Sequence, residues 1–201
     1  MKIQGSEALL KSLIKEDVNT IFGYPGGAIM PIYDALYGYM DKINHILTRH
    51  EQGAIHAAQG YSRVSGKVGV CFATSGPGAT NLITGIADAQ IDSTPIVCIT
   101  GQVPSQLLGT DAFQECDVIG ISMPVTKWNY QITNSKEIPE IISKAFYIAK
   151  SGRPGPVLID ITKDAQFSEI NFKYKKCEKI RSYHPYPIID QNKVAKAAKL
   201  I

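Results

Sequence analysis

Glu51 is the residue whose type and position point most directly to chemistry. It stands in the string RHEQGA, just after a short run that predicts a strand and at the start of a predicted helix. An acidic residue in a first helical turn stabilises the helix dipole and needs no catalytic role. The small residues Gly53, Ala54, Ala57 and Ala58 that follow would let a ligand approach the helix closely. The residues alone therefore leave two explanations open, a structural carboxylate and a ligand-binding one.

Three glycine-containing loops each follow a predicted strand. They are Pro25-Gly26-Gly27, the segment SGPGATN at 75–81 and the segment GQVP at 101–104. A glycine turn between a strand and a helix can hold an anion, although Asn81 stands where a dinucleotide fingerprint would have its third glycine. A tight turn without a ligand explains the 75–81 loop equally well. Because ligands of open α/β sheets bind at the carboxyl ends of the strands, the three loops together predict one binding rim.

A further loop, from Gly109 to Glu115, carries an aromatic, an amide and two acids. Asp111 and Glu115 could serve as metal ligands or as an acid/base pair, and helix capping or solvation accounts for them as well. The four cysteines show no C-x-x-C spacing and the four histidines form no metal-binding pair. The sequence therefore predicts reduced thiols and no metal site within this stretch.

Alternating strands and helices are predicted to position these residues. The runs VGVCFA (68–73) and PIVCIT (95–100) are continuously apolar, which is typical of strands covered on both faces. Ser6 predicts the N-cap of the first helix. The pattern predicts an α/β fold with a largely parallel sheet and helices on both faces. The other predicted strands are at 20–24, 45–47 and 156–161. The predicted helices are one that begins at Ser6 and those at 30–40, 51–64, 79–90 and 137–150.

Composition narrows the class of protein. The chain has 201 residues, of which 44% are hydrophobic and 19% charged, enough for one sizeable core plus an extension. A net charge of +3 with interspersed signs argues against nucleic acid as a partner. No apolar run approaches the about 20 residues that span a bilayer, so neither a membrane anchor nor a signal peptide is predicted. After about residue 167 lysines crowd together, which indicates a solvated linker, although such a run could also attract an acidic partner.

Several strings together resemble the acetolactate synthase family of thiamine-diphosphate enzymes, also called acetohydroxyacid synthases. The strings are FGYPGGAIMPIYDAL, RHEQGAIHAAQGYSRVSGKVGV, TSGPGATNLITGIADAQIDSTPIV, GQVPSQLLGTDAFQECDVIG and GRPGPVLIDITKD. The likeness runs almost continuously from residue 3 to residue 166. RHE and SGPG recur across thiamine-diphosphate decarboxylases and carboligases, whereas GTDAFQE with GQVP and TKD is more specific.

The resemblance implies roles for individual residues. Glu51 matches the glutamate that hydrogen-bonds N1′ of the cofactor's aminopyrimidine and so helps to activate thiamine diphosphate. The residues implied to line the pyrimidine pocket are Pro25, Gly26, Gly27, Pro77 and Asn81. Those implied for the substrate and flavin are Phe113 and Gln114 facing the reacting carbons, Lys163 and Pro104 at the substrate channel, and Arg153 contacting FAD. The diphosphate and its Mg²⁺ are implied to be held by a separate domain, with no metal ligand in this chain.

For the whole protein the resemblance implies condensation of two pyruvates to 2-acetolactate and CO₂, or of pyruvate with 2-oxobutanoate. Residues 1–166 are expected to form the pyrimidine-binding domain. Residues 167–201 are expected to form a linker and the start of a truncated, FAD-associated domain. The expected partners are a second copy of the subunit, which completes a site at the interface of a homodimer or higher oligomer, and a small regulatory subunit. The expected compartment is bacterial cytoplasm or plastid stroma.

Three alternatives stay open beside that prediction. Pyruvate oxidase is another FAD-containing thiamine-diphosphate enzyme, and it would reduce its flavin on turnover. Glyoxylate carboligase typically lacks the activating glutamate, so Glu51 counts against it. Outside the enzymes, the chain could act only as a binding or oligomerisation module.

Overall fold

The computed structural model of the chain describes residues 2–201. Its strands are β1 (Lys2–Gln4), β2 (Thr20–Gly23), β3 (Asn44–Leu47), β4 (Gly69–Ala73), β5 (Ile96–Gln102), β6 (Trp128–Ile132), β7 (Pro156–Thr162) and β8 (Glu169–Asn171). Its α-helices are α1 (Gly5–Lys15), α2 (Met30–Tyr37), α3 (Glu51–Ser65), α4 (Pro77–Thr80), α5 (Ile83–Ile91), α6 (Val118–Ser122), α7 (Ile138–Lys150), α8 (Lys163–Phe167) and α9 (Gln191–Ala198). Short 3₁₀ turns lie at Ser105–Leu107, Met123–Val125 and Ser135–Glu137.

Six strands form one parallel sheet in the order β3-β2-β4-β5-β7-β6. A separate antiparallel pair joins β1 to β8. Parallel neighbours need a crossover connection, and helices of the chain supply it on both faces of the sheet. This arrangement confirms the predicted α/β class with a parallel sheet.

The central strands bury both of their faces, as the continuous apolar runs predict. Along β4, Val70 and Phe72 join the core beneath α1, α2 and α7, whereas Cys71 and Ala73 join the core beneath α3 and α5. This alternation follows from the two-residue period of a strand. The Cys71 and Cys98 thiols are free, fully buried and 3.4 Å apart, so they pack as small apolar side chains.

Some predicted elements differ from the structure. The helix predicted at 79–90 is divided into α4 and α5, with Asn81 and Leu82 between them. The assignment of Ser6 as an N-cap is wrong, because α1 begins at Gly5 and the buried Ser6 hydroxyl has no hydrogen-bond partner. The β1–β8 pair brings Ser168 to this end of the helix, and its carbonyl accepts from the Gly5 amide at 2.9 Å instead.

The lysine-rich segment after β8 lies against the body of the domain. The Tyr174 hydroxyl donates to the Glu16 carboxylate, and the Cys177 amide donates to the Ser143 hydroxyl at 2.6 Å. The terminal α9 buries none of its side chains. The boundary at 166 stays a prediction, and the structure adds that the strand at 169–171 pairs with β1. Within residues 2–201, no helix is long and apolar enough to cross a bilayer.

Candidate active site

The site lies at the carboxyl edge of the parallel sheet. The loop 24–29 follows β2, Glu51 follows β3, the segment 74–81 follows β4 and Lys163 follows β7. Of the predicted loop at 101–104, Gly101 and Gln102 still belong to β5, and Val103 and Pro104 follow it at the same edge. Since all these strands run in the same direction, their following segments gather at one edge. The sequence-based prediction of a shared rim is therefore confirmed.

Glu51 is the first residue of α3 and is only 7% exposed. Its Oε2 accepts a hydrogen bond from Asn81 Nδ2 at 2.9 Å. His50 precedes it as the N-cap, where its Nδ1 accepts from the Gln52 amide at 3.1 Å. The sequence analysis considered the histidines only as metal ligands and so missed this capping role. The position of His50 directly before the helix could have suggested it. The arrangement fixes a buried carboxylate at the edge of the sheet.

Gly78 keeps the approach to that carboxylate open. A Cβ atom on Gly78 would lie 3.2 Å from Glu51 Oε1 and 2.7 Å from Thr74 Cγ2. Any side chain there would fill the space in front of Oε1. The carboxylate, the Asn81 amide and the bare Gly78 thus form a cradle that suits a flat, polar ring carrying a hydrogen-bond donor or acceptor.

Thr74 connects this cradle to the loop that contains Pro25, Gly26 and Gly27. The Ala28 amide donates to Thr74 Oγ1 at 3.2 Å, and the backbone of Gly26 packs against the same side chain. From the other side, Gln166 Nε2 donates to the Ala28 carbonyl at 2.8 Å. The loop is therefore held on both sides, and Thr74 is a contact that the sequence did not reveal.

Tyr33 and His45 form a side-chain pair beside Gly23 at the end of β2, and the sequence interpretation missed both. Their side chains contact each other, with Tyr33 Oη 3.3 Å from His45 Nε2. Burial raises the pKa of the Tyr33 hydroxyl, and the neighbouring Cys71 and Glu51 side chains raise it further. Burial also lowers the pKa of His45. Both side chains are therefore neutral near pH 7, and they place a polar but uncharged layer next to Glu51.

A cavity of about 270 Å³ lies further along the same edge. It brings together five of the residues singled out in the sequence, namely Gly27, Pro104, Phe113, Gln114 and Lys163. Phe113 is 87% exposed, so its ring is not part of the core. Gln114 has a positive φ of 58°, and Gly76, with φ 56°, lies so close to it that a Cβ atom would be 2.5 Å from the Gln114 carbonyl oxygen. Gly76 therefore allows this loop to approach the segment that carries Asn81.

Arg153 lies elsewhere. It precedes β7 and so belongs to the amino edge of the sheet, opposite the cradle. Its guanidinium donates to Ser93 Oγ at 2.8 Å and to the carbonyls of Gln90 and Ile91 at 3.1 and 2.9 Å. These bonds tie the end of α5 to the start of β7, while Nη1 makes no hydrogen bond within residues 2–201. Contact with FAD stays a prediction for this residue.

Of the two acids in the 109–115 loop, Glu115 has a partner within that loop. Glu115 Oε1 accepts from the Gly109 amide at 3.2 Å, which closes the loop between them. Asp111 is exposed and has a positive φ of 54°. Across residues 2–201, no group of three or more histidine, cysteine or acidic side chains is arranged to hold a metal ion.

Comparison with protein families shows which family the chain belongs to. Residues 3–121 match the family described as thiamine pyrophosphate enzyme, N-terminal TPP binding domain. The chain belongs to the thiamine pyrophosphate enzymes. Within this family domain, the matched residues include Glu51, Asn81, the loop at 25–27 and the loop that carries Phe113 and Gln114.

Three relatives of this thiamine pyrophosphate enzyme chain are named as acetolactate synthase large subunits, one of them as probable. It is 52% identical over 200 residues to the acetolactate synthase large subunit of Corynebacterium glutamicum, an alignment that covers 100% of this chain and 32% of the relative. It is 54% identical over 202 residues to the probable acetolactate synthase large subunit of Methanocaldococcus jannaschii, covering 99% and 34%. The large subunit from Pyropia yezoensis is 51% identical over 201 residues, covering 98% and 34%. The chain thus spans about a third of the length of these relatives.

Proposed function

We propose that the full-length protein is the catalytic subunit of an acetolactate synthase. Two pyruvate anions and one proton would give 2-acetolactate and CO₂, and pyruvate with 2-oxobutanoate would give the homologous product. These reactions lie on the route to valine, leucine and isoleucine. The names and identities of the relatives support the assignment. The structural observation that carries it is the buried Glu51 carboxylate, held by Asn81 beside an open Gly78.

The cradle fits the aminopyrimidine of thiamine diphosphate. Glu51 Oε1 accepts no hydrogen bond from residues 2–201, so it is available to a ring nitrogen of the cofactor. Asn81 holds the other oxygen and so fixes the plane of the carboxylate. We propose that Pro25, Gly26, Gly27 and Pro77 line the ring. Thiamine diphosphate, when bound, supplies the nucleophilic carbon and the electron sink that decarboxylation needs.

Glu51 would act as the catalytic acid and base of the activation step. A carboxyl group in a water-poor cradle can exchange a proton with a ring nitrogen without a competing hydrogen bond from solvent. Tyr33 and His45, both neutral, add no charge that would compete for that proton. This chain therefore contributes the proton-handling half of the site.

The 270 Å³ cavity would receive the substrates. Its volume suits small 2-oxo acids, and the Lys163 ammonium offers a positive charge that attracts their carboxylates. Phe113 supplies an apolar surface and Gln114 an amide beside it. Pro104 narrows the same passage. We propose that these residues guide pyruvate and 2-oxobutanoate toward the cofactor.

The remaining cofactors and partners belong to the full-length protein. We propose Mg²⁺ with ligands outside this chain, FAD in a structural role near Arg153, a homodimer or higher oligomer, and a small regulatory subunit. Cytoplasm or plastid stroma stays the proposed compartment. The Arg153 Nη1 group is a donor that a flavin could use, which is the support this chain offers for FAD.

Incubating the full-length protein with pyruvate, thiamine diphosphate, Mg²⁺ and FAD under anaerobic conditions tests the proposal. We expect one CO₂ for every two pyruvates, formation of 2-acetolactate, and an unchanged flavin spectrum. A bleached flavin with one CO₂ per pyruvate would instead identify a pyruvate oxidase. Gel filtration with and without thiamine diphosphate addresses the third class, because a cofactor-indifferent assembly without turnover would indicate a binding module.

A further inference from the structure

A single amide holds both ends of the loop that carries Phe113 and Gln114. This loop, residues 103–116, leaves β5 and returns just before α6. Gln102, which is 1% exposed, accepts from the Val103 amide through Oε1 at 2.9 Å. Its Nε2 donates to the Cys116 carbonyl at 3.0 Å. The start and the end of the loop are therefore tied to the same side chain.

Asp160 determines which way that amide faces. It lies on β7, is fully buried, and accepts from Gln102 Nε2 at 3.1 Å. It also accepts from Thr100 Oγ1 at 2.6 Å and from Gln131 Nε2 at 2.9 Å. An ionised carboxylate only accepts hydrogen bonds, so the NH₂ group of Gln102 must face it. The Gln102 oxygen is then left pointing at the Val103 amide, which is the orientation that the loop requires.

Two further contacts of the loop act on its interior. Asp164 accepts from the Ser105 amide at 2.9 Å and from its hydroxyl at 2.7 Å. Gly76 packs against the Gln114 backbone. With its two ends fixed by Gln102, the loop has a defined path, and its side chains close the 270 Å³ cavity. A shift of about 1 Å in groups that position a substrate can cost about a hundredfold in rate.

We propose that Asp160 and Gln102 form a clamp that positions the 103–116 loop over the substrate cavity. They are positioning residues, because neither lines the cavity and both act through the loop. What the loop meets rests on the proposed function, whereas the clamp itself rests on the contacts above. Loss of the clamp should leave the Glu51 cradle unchanged. Within residues 2–201, no hydrogen bond joins the cradle to Asp160, to Gln102 or to the 103–116 loop.

The test compares two methionine variants of the full-length protein. Gln102→Met removes one hydrogen bond to Asp160 and both bonds to the loop, at nearly constant side-chain length. Gln131→Met is the matched control, because it removes one hydrogen bond to the same Asp160 Oδ2 but none to the loop. Melting temperatures measured on both report the cost to stability that the two variants share.

The hydrogen-exchange rates of the 103–116 amides measure how firmly the clamp holds the loop, and they do not depend on catalysis. In Gln102→Met we expect these amides to exchange about tenfold faster, as loss of a buried hydrogen bond allows. In Gln131→Met we expect rates within about twofold of the original. Equal acceleration in both variants, or none in Gln102→Met, would overturn the clamp.

Steady-state kinetics then measure how loss of the clamp affects the use of pyruvate. In Gln102→Met, kcat/KM for pyruvate should fall about tenfold to about a hundredfold, while half-saturation by thiamine diphosphate stays within about twofold. A matching loss in cofactor affinity would indicate general disruption and contradict the proposal. If Gln102→Met does not fold, the shorter Gln102→Asn, which keeps an amide, should show the same pattern at smaller amplitude, and an unaltered loop in that variant would also overturn it. Should the original protein form no acetolactate, the proposed function fails, and hydrogen exchange still decides the clamp.

Discussion

Two buried carboxylates on this sheet, Glu51 and Asp160, have opposite surroundings. Glu51 is 7% exposed and has one side-chain donor, Asn81, on one of its oxygens. Asp160 is fully buried and receives three side-chain donors distributed over both oxygens. Burial alone therefore does not distinguish a carboxylate that can react from one that holds structure.

The difference lies in unused hydrogen-bonding capacity. A carboxylate whose oxygens are saturated by protein donors cannot take a new partner without losing an old one. Glu51 keeps Oε1 free in front of Gly78, so a ligand can complete its hydrogen bonding. Both oxygens of Asp160 already have protein donors, Thr100 on Oδ1 and Gln102 and Gln131 on Oδ2, and the carboxylate orients these side chains. Substitution of Glu51 should then lower activity with little change in stability, whereas substitution of Asp160 should change stability and, through Gln102, the 103–116 loop.

The largest expected effect is that of Glu51→Gln on activity. The amide can still accept from Asn81, so the fold should persist, but it cannot exchange a proton with the cofactor. We expect acetolactate formation by the full-length protein to fall by about 100-fold to about 10,000-fold. Rate measurements with a parallel melting curve test this. Glu140→Gln on the exposed side of α7 serves as control, and undiminished carboligation in Glu51→Gln would contradict the assignment of Glu51.

Asp160→Asn should act on stability and on its pH dependence. Burial raises the pKa of Asp160 to about 6, against hydrogen bonds from Thr100, Gln131 and Gln102 that lower it, and Asp117 adds a smaller increase. The folded state then holds this proton more tightly than the unfolded state does. Stability from this group is thus highest below about pH 4 and is lost as the pH rises to about 6, by about 3 kcal/mol.

Urea unfolding of the chain between pH 4 and pH 7 measures that effect. Between pH 4 and pH 7, the unfolding free energy of the original protein should fall by about 3 kcal/mol relative to that of Asp160→Asn. Asp164→Asn provides a control of opposite sign. Although burial raises its pKa, hydrogen bonds from Ser105 lower the pKa of Asp164 below its ordinary value, so its contribution is lost as the pH falls. Parallel pH curves for the original and Asp160→Asn would contradict the comparison.

The Glu51 side of the comparison could be predicted largely from the sequence. Continuous apolar runs locate β4, β5 and β7, and glycine turns mark where each chain segment leaves the sheet. These are local signals, and the parallel arrangement then brings Glu51, the loop at 25–27 and Asn81 to one edge. The roles proposed for Phe113, Gln114 and Lys163 depend on the family resemblance, and the cavity that they share became visible only in three dimensions.

The Asp160 side could not be predicted in the same way. Its partners Gln102 and Gln131 lie 58 and 29 residues away, and they meet only because the strand order is β5-β7-β6. The last of these strands, WNYQI, is half-buried and alternates apolar with polar residues, so it has no continuous apolar run of the kind that marks β4 and β5. Ser6 failed for a related reason, since a distant strand pairing decides how the first helix begins.

A smaller effect is expected when Glu51 loses its one donor. Asn81→Ala leaves Glu51 Oε2 without its hydrogen bond, so the plane of the carboxylate is no longer fixed. Because a hydrogen bond to a charged group contributes about 1.5 kcal/mol or more, we expect activity to fall about tenfold. The concentration of thiamine diphosphate for half-maximal activity should rise with it. Asn134→Ala is the control, because this cap residue follows β6, which lies three strands away from β4 in the sheet. An unchanged cofactor requirement in Asn81→Ala would argue against the cradle.

The smallest effect is expected at the corresponding donor of Asp160. Thr100→Val keeps the shape of the side chain and removes the hydroxyl that lies 2.6 Å from Asp160 Oδ1. We expect the free energy of unfolding at pH 7 to fall by about 1 kcal/mol, because one acceptor of a buried carboxylate loses its partner while two donors remain on Oδ2. Activity of the full-length protein should stay within about twofold, since Gln102 keeps its orientation. Asn81→Ala and Thr100→Val each remove one donor from a buried acid. We expect the first to lower activity and the second to lower the free energy of unfolding. The comparison fails if both variants change the same one of these two quantities.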